Sequence, residues 1–111
     1  MKLNYQLINR NWIEERRPLL VFLHEGLGSI RQWKEFPQKL SDVVELPALV
    51  YDRCGYGQSP LGNQLIDPEF LHREAWDYLP ELIKSLKIDN PVILFGHSDG
   101  GTIALLHASK P

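Results

Sequence analysis

A serine flanked by glycines near the end of the sequence is the clearest candidate for chemistry. Gly96-His97-Ser98-Asp99-Gly100 has the form G-x-S-x-G and stands between a short apolar run and a helical pattern. In a sharp strand-to-helix turn, such a serine projects its hydroxyl into open space, and the flanking glycines remove side chains that would clash. The partial positive charge of the helix N-terminus favours a developing oxyanion. We interpret Ser98 as a candidate nucleophile; the alternative is a glycine-rich turn with a helix-capping serine.

Two further stretches follow buried apolar runs in the same way. "HEGLGS" (24–29) comes after the first run, and "YDRCGYGQS" (51–59) comes after the second. Together with "GHSDGG", they make the chain resemble the α/β-hydrolase fold family in the order, spacing and strand context of its motifs. The second stretch carries that family's D-x-x-G-x-G-x-S pattern, at Asp52, Gly55, Gly57 and Ser59.

The resemblance implies a site built around Ser98 as the nucleophile, with Gly96, His97 and Gly100 forming its nucleophile elbow. The backbone N–H of Asp99 would be one oxyanion donor. The second donor would come from the loop after the first strand, from Gly26 or Leu27. The implied activity is hydrolysis of an ester, amide or similar acyl bond in a small molecule, without a cofactor.

The sequence departs from the family at one position of the oxyanion loop. Glu25 stands where a glycine often follows the histidine, so Glu25 and Asp99 would place two carboxylates beside the mouth of the site. Such acids disfavour anionic substrates, but an acid near a helix N-terminus also stabilises the helix. For Asp99 we favour the structural interpretation.

None of the four histidines is predicted to be the general base for Ser98. His97 precedes the serine on the strand and is predicted to pack away from the hydroxyl. His24 ends a buried strand and is predicted to order the oxyanion loop, and His72 is predicted to be a surface or boundary residue. His107 lies nine residues beyond the serine. That is about 13 Å along a helix, well beyond the ~3 Å that a base must reach.

The acid and the base of a catalytic triad have no counterpart after the serine. In this family they follow the nucleophile along the chain, yet no acidic residue comes after Asp99. We therefore expect residues 1–111 to be a single incomplete domain, the N-terminal half of a longer hydrolase, with little turnover alone. The run 91–97 would be a central strand in the family, so its open edge predicts a homo-oligomer or a complementary C-terminal segment. The alternatives are a non-catalytic module that associates through this edge and a fragment with no function of its own.

The pattern of apolar runs predicts an α/β fold. Three runs without polar alternation are typical of strands buried on both faces of a parallel sheet, at 19–24, 46–52 and 91–97. The opening "LNYQLINRNWIEE" predicts an antiparallel hairpin with its turn near Asn9-Arg10-Asn11. Helices are predicted at 30–42, divided at Pro37, at 68–87, kinked or split at Pro80, and after Ser98. The predicted fold is a partial α/β-hydrolase fold, in which the hairpin leads into a mostly parallel sheet with flanking helices.

Composition narrows the possible partners and the location. The net charge of −2 includes no basic stripe, so nucleic acid is an improbable partner. Cys54 is the only cysteine, which excludes an intrachain disulfide and favours a reducing compartment. The N-terminus lacks the apolar stretch of a signal peptide, and the longest apolar run spans only Leu19–Leu23. We expect a cytoplasmic protein with no membrane partner. The histidines and Cys54 show no zinc-ligand spacing, so no metal is expected.

Overall fold

A four-stranded mixed sheet forms the centre of the protein. In this computed structural model the described residues are 3–24, 30–52, 70–97 and 99–109. The strands are β1 (Tyr5–Ile8), β2 (Leu19–Leu23), β3 (Ala48–Tyr51) and β4 (Val92–Gly96). Their order across the sheet is β1-β3-β2-β4; β2 is parallel to both β3 and β4, and β1 is antiparallel to β3.

The two inner strands are buried along their whole length. Every residue of β2 and β3 is buried, which agrees with their continuous apolar sequences and with a sheet covered on both faces. Alternate side chains face opposite layers. On one face Leu19, Val21 and Leu23 join a core cluster with residues of three helices. On the other face Leu20 and Phe22 join a second, smaller cluster.

Helices cover both faces of the sheet. They are α1 (Asn11–Glu14), α2 (Phe36–Val44), α3 (Phe70–Arg73), α4 (Leu79–Ser85) and α5 (Asp99–Ser109), with a 3-10 turn at Ile30–Trp33 and a π-helical segment at Glu74–Tyr78. The segment from α3 to α4 and α5 pack on the larger core cluster, while α2 and the 3-10 turn pack on the smaller one. No helix in the described part of the chain is long and apolar enough to cross a membrane.

The predicted N-terminal hairpin is wrong in its second half. The strand β1 is present, but α1 follows it, and β1 pairs with β3 instead of with the residues after it. Asn9 turns the chain with a φ of 53°, and its carbonyl accepts a hydrogen bond from the Trp12 N–H at 3.1 Å. The Asn9 side-chain amide donates to Ser41 Oγ at 2.9 Å and to Asp42 Oδ1 at 2.7 Å. These bonds to α2 hold the turn in a position that a hairpin would not allow.

Pro37 and Pro80 both lie in the first turn of a helix. The division predicted at Pro37 falls instead near Lys34, whose φ is 54°, and Pro37 is the second residue of α2. Pro80 is likewise the second residue of α4, directly after the π-helical segment, where the Leu79 N–H donates to the Glu74 carbonyl. A first-turn proline lacks only an N–H that would have no partner within the helix. The interruption predicted at Pro80 is therefore accommodated as a π-helical segment rather than as a break.

Replacement of a central core residue tests this arrangement. Leu49 of β3 is fully buried, so Leu49→Ala should lower the free energy of unfolding by about 2–5 kcal/mol. Val43 is 80% exposed on α2, and Val43→Ala should change the free energy of unfolding by less than about 0.5 kcal/mol. Urea unfolding followed by circular dichroism measures both values. Equal midpoints for the two variants would contradict the burial of β3.

Candidate functional site

The G-x-S-x-G sequence lies where β4 gives way to α5. β4 ends at Gly96 and α5 begins at Asp99, so only two residues connect strand and helix. The His97 N–H donates to the carbonyl of Leu23, the last residue of β2, at 3.1 Å. The Gly100 N–H donates back to the His97 carbonyl at 2.9 Å. The connection is thus a tight strand-to-helix turn that is hydrogen-bonded to the carboxyl end of the neighbouring strand.

Close backbone contacts explain why two of the glycines stand in this turn. A Cβ on Gly100 would lie 1.9 Å from the Leu23 carbonyl oxygen and 2.8 Å from that of His24. A Cβ on Gly96 would lie 2.3 Å from the Gly100 carbonyl oxygen. The atoms in the way belong to the backbone, which cannot move aside as a side chain could. The beginning of α5 can therefore pack against the end of β2 only without side chains at positions 96 and 100.

Only some of the candidate catalytic residues lie in the described part of the chain. Asp99 is the first residue of α5, where its backbone belongs to the first turn of the helix. Ser98, the candidate nucleophile, and Gly26 and Leu27, the candidate oxyanion donors, lie outside the described residues. His24, which was predicted to order the oxyanion loop, directly follows β2 and is fully buried.

A buried aspartate holds the start of the 3-10 turn at the carboxyl end of β3. Asp52 directly follows β3 and is 2% exposed. Its Oδ1 accepts a hydrogen bond from the backbone N–H of Ile30 at 2.6 Å, and its Oδ2 accepts one from the Asn4 side-chain amide at 2.9 Å. Ile30 is the first described residue after 25–29, so Asp52 ties this point of the chain to β3. The sequence motif indicated Asp52 but assigned it no contact.

The histidines away from the turn have structural contacts. His107 Nδ1 lies 2.9 Å from the Ala75 carbonyl oxygen, which joins α5 to the π-helical segment. The His72 ring is half-buried and packs edge-on against Trp76, with 4.9 Å between the ring centroids. His97 is exposed, and its role as a packing residue stays a prediction. Within ranges 3–24, 30–52, 70–97 and 99–109, no group of three or more histidine, cysteine or acidic residues could hold a metal ion.

Two glycines one residue apart provide a test of the close-packed turn. Gly100→Ala should lower the free energy of unfolding by at least about 3 kcal/mol, because the new Cβ meets backbone atoms of β2. Gly101→Ala meets nothing closer than 3.7 Å, and an alanine inside a helix should add about 0.5–1 kcal/mol. Thermal and urea unfolding compare the two variants. If Gly100→Ala were as stable as the unmodified protein, α5 could not approach β2 as described.

The role of Asp52 can be tested by its removal. Asp52→Ala leaves the part-buried Ile30 N–H without its acceptor and should lower the free energy of unfolding by about 1–3 kcal/mol. The matched control is Asp89→Ala, since Asp89 makes an exposed ion pair with Arg16 and its removal should cost less than about 1 kcal/mol. Hydrogen exchange at the Ile30 amide, measured by NMR, should accelerate in Asp52→Ala alone. Unchanged exchange at Ile30 would contradict the bond between Asp52 and the 3-10 turn.

Comparison with known proteins identifies similar chains. No family model matches the sequence. A proline iminopeptidase of Lactobacillus crispatus is 32% identical over 104 residues, which cover 93% of this chain and 33% of that protein. The chain spans about a third of the length of the curated relatives it matches.

Solved structures with the same fold are known. A marine microorganism esterase superposes with a TM-score of 0.76 and 27% identity, over 98% of this chain and 37% of the esterase. An α/β hydrolase from a Medee basin deep-sea metagenome library superposes with a TM-score of 0.72 and 22% identity, over 97% of this chain and 36% of that one; this second likeness concerns the fold alone. The mixed sheet, the strand-to-helix turn and these similarities together identify the chain as the N-terminal part of an α/β-hydrolase fold.

Proposed function

We propose that the chain is the nucleophile-bearing part of a serine hydrolase. Ser98 is the nucleophile, and the backbone N–H groups of Asp99 and of Gly26 or Leu27 form the oxyanion hole. The Ser98 hydroxyl attacks the acyl carbon of the substrate and transfers its proton to a general base. The carbonyl oxygen becomes an oxyanion that the two N–H groups stabilise. Collapse of this intermediate expels the alcohol or amine and leaves an acyl-enzyme, which water then hydrolyses.

The observation that carries the proposal is the close contact of α5 with β2. A helix that begins three residues after a parallel strand, with a glycine in its first turn that is too close to the neighbouring strand's backbone to carry a Cβ, is the setting in which a G-x-S-x-G serine functions. A glycine-rich turn with a capping serine would not need glycine at both positions 96 and 100. The partial positive charge at the N-terminus of the 11-residue α5, which begins at Asp99, would further favour an oxyanion there.

The general base and the triad acid are proposed to come from outside residues 1–111. His107 contacts the Ala75 carbonyl from the far part of α5, His72 packs on Trp76, and His24 is fully buried. We therefore propose that the isolated chain turns over little or no substrate. Catalysis would require a complementary C-terminal segment that supplies the acid and the base.

The proposed substrate is a small molecule with an ester, amide or similar acyl bond. The similar proteins include one named an iminopeptidase and one named an esterase, so we propose only an acyl bond and do not specify an ester or an amide. We further propose a cytoplasmic location, because the single cysteine, Cys54, favours a reducing compartment.

A second candidate function is a non-catalytic module that associates with itself or with a partner. The observation that favours it is the exposure of Ile93 and Phe95 on β4, which is the last strand of the described sheet. In this case Ser98 would be inert and the outer edge of β4 would be the functional surface. Both proposals predict self-association, but only the first predicts a reactive serine.

Acylation by p-nitrophenyl acetate separates the two candidates. With substrate alone, the unmodified chain and Ser98→Ala should both match the buffer blank. With imidazole added as an external base, the unmodified chain should acquire an acetyl group at Ser98, detected by mass spectrometry of the peptide that contains it. Ser109→Ala, a change at an exposed serine of the same helix, should be acetylated like the unmodified chain.

Two outcomes would contradict the first proposal. Absence of acetyl-Ser98 under all conditions would remove Ser98 as a nucleophile and favour the non-catalytic module. Steady turnover by the unmodified chain without imidazole, lost in Ser98→Ala, would show that residues 1–111 contain their own base.

A further inference from the structure

A cavity lies between the first strand and the helix layer, on the side of the sheet away from β4. Among the described strands, β1 and β4 are the two outer ones. Leu3 and Leu7, two residues to either side of Tyr5, both pack in the larger core cluster beneath the helices. Tyr5 itself is 39% exposed. The helix layer therefore leaves Tyr5 partly uncovered, and a cavity of about 420 Å³ is found there, lined by Leu3 and Tyr5 on its strand side.

The helix side of the cavity is one stripe of the helical residues 78–86. The lining residues recur at intervals of three or four, which is the spacing of one helix face; they are Tyr78, Glu81, Leu82, Ser85 and Leu86. Leu82 is buried and Leu86 is half-buried, whereas Glu81 and Ser85 are exposed. The cavity thus has an apolar base and a polar rim, and the rim is formed by Glu81 and Ser85.

Two aromatic rings make the cavity favourable for positive charge. Tyr5 lines it from the strand and Tyr78 from the helix. The face of a tyrosine ring is electronegative and attracts a cation within about 6 Å of the ring centroid. This attraction is larger where the cation is partly removed from water, as it is above an apolar base. A ligand enclosed between the strand and the helix would contact both rings.

The charge at the rim favours the same kind of ligand. Glu81 is the only charged side chain among the described residues that line the cavity. Within the described ranges no lysine or arginine forms an ion pair with Glu81, so its carboxylate charge is not compensated there. The Ser85 hydroxyl donates its proton to the Leu82 carbonyl at 2.7 Å, which leaves the Ser85 oxygen as an acceptor. The rim therefore offers acceptors to a cation and no cationic group to an anion.

We propose that this cavity binds a small organic cation, in which an ammonium group is attached to an apolar body. The ammonium group lies between the rings of Tyr5 and Tyr78, with the Glu81 carboxylate beside it. The apolar body contacts Leu3 and Leu82 at the base. The volume is suitable, because pockets for small molecules typically measure about 300–1,000 Å³ and are mostly apolar with a few polar groups.

The chemistry of the cavity distinguishes this ligand from other classes. An anion would be repelled by the uncompensated carboxylate of Glu81. A neutral molecule would gain the apolar contacts, but neither the attraction of the rings nor that of the carboxylate. The site shares no residue with the G-x-S-x-G turn. It therefore goes beyond the hydrolase proposed above and does not depend on it.

Titration of the unmodified chain with benzyltrimethylammonium chloride at fixed ionic strength, followed by ¹H–¹⁵N NMR, tests the site. The cation should bind with a dissociation constant of about 0.1–5 mM and shift the amide signals of Tyr5, Tyr78 and Glu81. Benzyl alcohol, which is neutral, and phenylmethanesulfonate, which is an anion, should bind at least tenfold more weakly. Equal binding of benzyl alcohol would identify an unselective apolar groove and overturn the proposal. Absence of shifts at about 20 mM cation would overturn it as well.

Substitutions on both sides of the cavity identify the groups that bind the cation. Glu81→Gln should weaken binding at least threefold, whereas Glu14→Gln, a change at an exposed glutamate of α1, should leave it unchanged. Tyr5→Leu should also weaken binding at least threefold, and Tyr5→Phe should bind like the unmodified chain because the ring is retained. The dispersion of the NMR spectrum shows whether each variant is folded, and Glu81→Gln, at an exposed position, keeps the test valid if Tyr5→Leu is not. Unchanged affinity in Glu81→Gln would overturn the site.

One competitor for the cavity is part of the chain itself. Lys2 directly precedes Leu3, the first residue that lines the cavity. Lys2→Gln should bind the cation like the unmodified chain. Binding seen only in Lys2→Gln would show that the chain's own ammonium group occupies the site, and would overturn the proposal. None of these readouts involves Ser98, so failure of either proposal leaves the other standing.

Discussion

The carbonyl oxygen of Leu23 occupies the position that a side chain on residue 100 would need, 1.9 Å from the ideal Cβ. This contact between the end of β2 and the start of α5 sets the geometry of much of the protein. It fixes how closely the helix follows β4, and it directs the N-terminus of the helix to the carboxyl edge of the sheet. In a parallel sheet that edge is where the loops after successive strands meet. His24, Asp52 and Gly96 all stand there, each directly after or at the end of its strand.

The sequence was sufficient to predict the elements whose signals are local. Continuous apolar runs predicted β2, β3 and β4, and the helices around Pro37 and Pro80 were found within a few residues of their predicted bounds. The failures concern contacts between residues distant in the chain. The antiparallel partner of β1 is β3, about 45 residues later. No sequence pattern near Asn9 indicates that β1 pairs with this distant strand. The role of Asp52 depends in the same way on Asn4 and Ile30, which only the folded chain brings together.

In the proposed hydrolase, residues 1–111 would position the reacting atoms, and proton transfer would depend on side chains outside them. Backbone geometry alone can hold a nucleophile and an oxyanion hole, because both depend on where strands end and where a helix begins. Proton transfer requires side chains whose position depends on other segments. The contacts of His72 and His107 are with neighbouring helical segments, where each imidazole stabilises packing. This division explains why the fold and the motif support one chemistry although none of the four described histidines is proposed as its base.

The order of the strands also affects how the protein can fold during synthesis on the ribosome. β2 lies between β3 and β4 in the sheet. Leu19 of β2 can pair with Val92 of β4 only after roughly 70 further residues have been synthesised. Until then one side of the most buried strand has no hydrogen-bonding partner, and α5, which covers it, does not exist. The pairing of β2 with β4 must therefore form late, once residues 92–96 have left the exit tunnel. Until then the nascent chain exposes its central strand, and apolar segments exposed in this way are prone to aggregation.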